Sequence, residues 1–126
     1  MLSDHDGLAT VAVRDLGAAK RFYGDTLGLA EADCDDESQV ATYRSGASSI
    51  VVYRSEFAGT NRATSITWGV GGEFDTIVAA LAKSGVPFEH YDLPGMTRTG
   101  AVHAAGDFKA AWFRDPDGNI LHVNNM

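Results

Sequence analysis

The chain has 126 residues, 44% of them hydrophobic and 21% charged, and a formal net charge of −7. That length suits one folding domain that buries about two-thirds of the surface its unfolded form exposes, and no apolar run approaches the ~20 residues of a membrane span. The acidic balance speaks against a nucleic-acid partner, because phosphate binding needs clustered Lys and Arg and the ten here are scattered.

Met1 to Gly7 have neither the basic start nor the apolar stretch of a secretory signal, so the expected location is cytoplasmic. Cys34 is the only cysteine, which excludes an internal disulfide and a cysteine-based zinc cluster. Its acidic neighbours Asp33, Asp35 and Asp36 disfavour the thiolate and hence a nucleophilic role.

Thr10 to Val13 alternate as a strand does, and Ala19, Phe22, Tyr23 and Leu27 then recur at helical spacing up to Gly28. Three strand-like runs follow, Leu29 to Asp33, Gln39 to Arg44 and Ser49 to Arg54, separated by polar and glycine-bearing turns. A shift of 57 residues sets Ser65-Ile66-Thr67-Trp68-Gly69-Val70 over Leu8-Ala9-Thr10-Val11-Ala12-Val13, and Gly85-Val86 over Gly28-Leu29. Between them Phe74, Ile77, Val78 and Leu81 form a second helical stripe that closes at Lys83-Ser84-Gly85.

Pro87 to Tyr91, Phe108 to Arg114 and Asn119 to Asn124 complete the second copy. Each copy reads β-α-β-β-β, one over about 7–55 and the other over about 64–126, within a single domain of residues 1–126. Asp92 to Asp107 reads as a loop of roughly fifteen residues, a length typical of lids. Asp115-Pro116-Asp117-Gly118 fits a type I turn, with Pro presetting φ at the second position, so its two aspartates are turn formers and not a catalytic pair.

Phe22-Tyr23 with Leu27-Gly28-Leu29, the doubled βαβββ unit, and Phe113-Arg114-Asp115-Pro116-Asp117-Gly118-Asn119 together resemble the vicinal oxygen chelate superfamily. Glyoxalase I, the bleomycin-resistance proteins and the extradiol dioxygenases belong to it. The resemblance runs from about Leu8 to Val123 and implies an α+β fold in which two βαβββ modules form an open, U-shaped mixed sheet around a small-molecule cavity. It also implies a homodimer.

Metal-binding relatives place ligands at positions that here hold Leu8, Ser65, the apolar strand Ile50-Val51-Val52-Tyr53, and His122. One candidate ligand stands where three or four are needed, so the expectation is no metal and no cofactor. His5, His90 and His103 could rebuild a site only by an unusual geometry, and each otherwise reads as a surface or loop histidine.

Side chains alternate between the two faces of a strand. If Leu8 and Ser65 mark the cavity face, then Thr10, Ala12, Thr67 and Gly69 share it, and Val11, Val13, Ile66, Trp68 and Val70 face the helices. The same parity gives Ser49, Val51, Tyr53, Ala110, Trp112, Ile120, His122 and Asn124 to the cavity, with Phe113, Leu121 and Val123 behind. The expected ligand contacts are Thr10, Val51, Tyr53, Ser65, Thr67, Trp112, His122 and, from the loop, His103.

Such a lining suits a small, moderately hydrophobic or aromatic organic molecule that stacks on Trp112 or Tyr53. Three functions stay open: a metal-free binding protein; a metal-independent isomerase, cyclase or lyase with His122 as catalytic acid or base; and a metal-dependent lyase or dioxygenase with shifted ligands.

Overall fold

The alternating run near the start forms strand β1 (Ala9–Val13) in a computed structural model that describes residues 1–126. Asp15 then caps helix α1 (Leu16–Lys20), its side chain accepting from the Ala18 N–H at 3.1 Å. The helix widens into a π-helical segment, Arg21–Thr26, whose exit is marked by Leu27 N–H bonding to the Phe22 carbonyl at 2.9 Å. Gly28, at φ 74°, turns the chain toward the next strand as the repeat pattern predicts.

Residues Met1–Gly59 form one compact unit and Thr60–Met126 a second. In the first, β2 (Ala30–Asp35), β3 (Val40–Ser45) and β4 (Ser48–Arg54) follow the helix, and the sheet order is β1-β4-β3-β2 with β1 parallel to β4. Val11, Val13, Ile50, Val52, Ala41 and Tyr43 are buried from the sheet, and Leu16, Ala19, Phe22 and Tyr23 from the helix. The Tyr23 and Tyr43 rings meet at 6.3 Å. Each such fully buried large side chain contributes about 1.5–3 kcal/mol relative to exposure.

The second unit repeats this plan. Strand β5 (Thr64–Gly69) leads through a short 3-10 turn to α2 (Phe74–Lys83), and the last strand, β10 (Ile120–Asn124), pairs parallel with β5 and antiparallel with β9 (Phe108–Arg114). The core holds Ile66, Phe74, Leu81, Val86, Ala111, Phe113, Leu121 and Val123. Trp68 stacks on Phe113 at 6.4 Å, as its helix-facing parity requires.

The stretch from Asp92 to Asp107 is where the structure departs from the sequence reading. Instead of a plain loop it contains a hairpin, β7 (Thr97–Thr99) and β8 (Val102–Ala105), and β8 continues into β9. The connections are two residues long, Gly100-Ala101 and Gly106-Asp107, with Gly at φ 60° and 58°. A glycine of positive φ at the first loop position is the II′ hairpin signal. The run from Pro87 shrinks to β6 (Phe88–Glu89), which shares the same edge of β9 with β8.

The acidic turn is built as its sequence predicts. Gly118 N–H bonds to the Asp115 carbonyl at 3.0 Å, and the buried Asp115 carboxylate accepts from the N–H groups of Asp117 and Asn119 at 2.9 Å and from the Asn119 amide at 2.7 Å. The carboxylate is consumed by the turn.

Candidate functional site

The chemistry of the second unit gathers on one sheet face. His122 lies opposite Trp112 on β9 and opposite Thr67 on β5, and directly paired residues point to the same face. Two residues along β9, Ala110 lies opposite both Asn124 and His103, so these join the row, as does Glu89, which faces Trp112. Glu89 is ion-paired with Arg114.

Trp112 is the hub of four rings. Its centroid lies 4.5 Å from His122 at a 30° tilt and 5.0 Å from His103 edge-on. Tyr91, in the segment after β6, packs 5.4 Å from Trp112 and 5.9 Å from His103. The indole N–H donates to the Thr64 hydroxyl at 3.2 Å, which fixes the plane of the ring.

Both imidazoles have their tautomer imposed on them. The Tyr91 backbone N–H donates to Nε2 of His103 at 2.9 Å, and a ring nitrogen that accepts cannot carry the proton, which is therefore on Nδ1. At His122 the lock is Asn124. The Met126 N–H donates to Asn124 Oδ1 at 3.1 Å, which turns the amide Nδ2 toward His122 Nε2 at 3.2 Å. Gly69 makes room for this arrangement: a Cβ there would stand 3.0 Å from the Met126 carbonyl oxygen and 3.5 Å from Asn124 Oδ1.

Two Nδ1–H donors result, both buried and neither with a hydrogen-bond partner. Burial pushes the His122 imidazole below its ordinary pKa, and the neighbouring His103 ring adds to that. The Ala111 carbonyl pulls the other way without meeting hydrogen-bond geometry at Nδ1. Burial, and secondarily the Glu89 charge, push the Tyr91 phenol up. The site is thus an aromatic surface with two buried imidazoles, on which Glu89 is paired with Arg114 and Arg98 stands opposite His103.

The sequence-predicted residues divide between the units. Thr67, Trp112, His122 and His103 share the face just described, whereas Thr10 pairs with Val51, and Ala12 with Tyr53, on the first unit's sheet. Thr10 is exposed, Val51 half-buried, and Tyr53 37% exposed. Ser65 falls at a register shift in the β5–β10 ladder, where Ile120 pairs with Thr64 and Leu121 with Ile66. That extra residue brings Thr64, not Ser65, to the indole.

His103 corrects its reading as a surface or loop histidine: it is a strand residue, 1% exposed. His5 and His90 are exposed. Parity reasoning placed Asn124 on the right face but did not single it out, and it missed Tyr91 and Thr64. Only the Gly-X signals around β8 could have drawn His103 into regular structure.

The model of the Glyoxalase/Bleomycin resistance protein/Dioxygenase superfamily matches residues 7–123. The chain belongs to that superfamily. Solved structures with the superfamily's fold match along nearly the whole chain. The fosfomycin resistance protein FosX from Listeria monocytogenes, in a monoclinic form, has a TM-score of 0.74 at 16% identity, over 99% of this chain and 92% of that one. FosX from Mesorhizobium loti gives 0.71 at 14% identity, over 98% and 92%. A glyoxalase family protein from Bacillus anthracis gives 0.67 at 22% identity, over 95% and 94%. At such identities these likenesses establish the fold alone. No curated protein matches the chain.

The superfamily's metal chemistry does not fit the donor set here. Leu8 offers no ligand atom, β4 offers no carboxylate or imidazole, Ser65 offers a neutral hydroxyl, and Nε2 of His122 is taken by Asn124. No three His, Cys, Asp or Glu side chains come together in a way that could hold a metal ion.

Proposed function

We propose that this superfamily member binds a small, moderately hydrophobic or aromatic organic molecule, without a metal, on the β5–β10–β9 face of the second unit. The observation that carries this is the ring cluster around Trp112, against whose indole Tyr91, His103 and His122 all pack. Stacking on an aromatic and a few directional polar groups is how such ligands are held. Fosfomycin and bleomycin resistance proteins share this fold or superfamily, which supports a small-molecule ligand.

Catalysis by His122 is the weaker reading. An acid or base must exchange a proton with substrate, whereas Nε2 is engaged by Asn124 and Nδ1 is closed off. As part of the same proposal the chain works as a cytoplasmic homodimer, which sedimentation equilibrium checks by giving twice the chain mass.

Thermal denaturation with a panel of uncharged bicyclic aromatics tests the reading. Binders are expected to raise Tm in proportion to ln(1 + [L]/Kd), and Trp112→Ala is expected to weaken them about tenfold or more. Stoichiometric uptake of Ni, Zn, Fe or Mn by the purified protein, or ligand binding untouched by Trp112→Ala, would sink it.

A further inference from the structure

Strand β6 ends after two residues for a reason that the register supplies. Glu89 pairs with Trp112 on β9, so a longer β6 would bring Tyr91 opposite Ala110, and that place is taken by His103 of β8. A backbone N–H cut off from its ladder needs another acceptor, and that of Tyr91 donates to Nε2 of the very histidine that displaced it, at 2.9 Å. From His90 to Met96 this is the one hydrogen bond to the sheet; the other, from the Met96 N–H to the Leu93 carbonyl, stays within the segment. The tether sets the half-buried Tyr91 ring 5.4 Å from Trp112 and edge-on to it. The hydroxyl on that ring has no hydrogen-bond partner in the protein, and unlike Nδ1 of His103 and of His122 it is open to solvent.

We propose that Tyr91 is the specificity-determining residue of this face: its phenol hydrogen-bonds a polar substituent of the aromatic ligand that Trp112 holds, and His103 is the positioning residue that fixes the phenol through the Tyr91 backbone. This rests on the function proposed above and names the ligand's polar contact. The ligand class is a small ring system whose oxygen or nitrogen substituent meets a phenol, as in a hydroxyarene or an aryl ketone; a bare hydrocarbon of the same size gains stacking alone. A protonated phenol both donates and accepts, and the burial and Glu89 charge that push the Tyr91 phenol up keep it protonated at neutral pH. The tether acts before the ligand arrives: without it, binding must order the segment that carries Tyr91, and that cost is taken from the affinity.

Two probes that differ by one hydroxyl, 2-naphthol and naphthalene, isolate the phenol when each is titrated into the unaltered protein and into Tyr91→Phe. The ratio of their affinities, in favour of 2-naphthol, is expected to fall about fivefold in the variant. His103→Leu removes the acceptor and is expected to cut the ratio likewise, and to strip the Tyr91 amide of its protection against hydrogen exchange. In His103→Gln the side-chain oxygen can accept from the same N–H, so both are expected to return in part. A lower Tm in the two His103 variants with the ratio unmoved overturns the positioning role, since lost packing alone gives that result. If these variants do not fold, the unaltered protein decides: a Tyr91 amide that exchanges as fast as that of exposed Asp92 overturns the tether. A ratio unchanged in Tyr91→Phe overturns the role of the phenol while leaving small-molecule binding at Trp112 intact; binding of neither probe removes both.

Discussion

The two units share one topology and divide the chemistry unequally. In both, the first strand runs parallel to the last and the helix covers a sheet face of alternating Val, Ile, Leu and aromatic residues. On the remaining face of the first sheet stand Thr10, Ala12, Val51 and Tyr53, half-buried or exposed. On the second stand Trp112, His122, His103 and Asn124, the last three buried. The last strand of each unit lies inside its sheet, β4 between β1 and β3 as β10 between β5 and β9, so burial and not position makes the difference. β10 is buried at all five positions, so a polar side chain there must find partners from its neighbours.

The comparison breaks first at the shared feature. Phe113→Ala in the second core and Tyr43→Ala in the first are each expected to cost about 3–5 kcal/mol in urea unfolding, the range for a buried aromatic. Losses under 1 kcal/mol at either would deny that the two faces are equivalent cores.

A smaller effect separates the acidic turns. Asp115→Ala strands the buried N–H of Asn119 and should cost about 1–3 kcal/mol. The acidic loop of the first unit, between β2 and β3, depends on the exposed Asp35, which accepts from the N–H groups of Glu37 and Ser38; these hold its carboxyl below the usual range, the Ser38 contribution leading. Asp35→Ala should shift the unfolding midpoint far less, and an equal shift would refute the contrast.

The smallest effect is that of pH. Because burial holds folded His122 below its ordinary pKa, the unfolded chain takes up a proton that the folded chain refuses. The His122 contribution is fully present above about pH 6.5 and declines as pH falls from there through the folded value. Midpoints measured at pH 7.5 and 5.5 should show this decline, and His122→Gln should reduce it; a decline of the same size in the variant would assign the effect elsewhere.

Much of this was legible in the residues. The 57-residue shift exposed the doubled unit, and parity put Trp112, His122 and Asn124 on one face and Phe113, Leu121 and Val123 on the other. It failed where periodicity is interrupted. The bulge at Ser65 adds a residue that no pattern announces, and the short β7 and β8 lie beneath the length at which alternation is distinctive. The tautomer locks were beyond reach, because Tyr91 acts through its backbone and Asn124 through an orientation that Met126 sets.

The parallel seam in each unit also orders assembly in time. It joins Ala9 to Ile50 and Thr64 to Ile120, whereas the β3–β4 and β8–β9 hairpins close across two residues. Local hairpins form in about 1–10 μs, but a seam between the ends of a unit must first meet the loop-closure entropy of the whole intervening chain. The seam is expected to close after the transition state, with φ-values near 0 for Val11→Ala and Ile66→Val and higher ones at Ala110→Gly. Values near 1 at the seam would reverse the order, making the meeting of first and last strands the nucleus from which each unit grows.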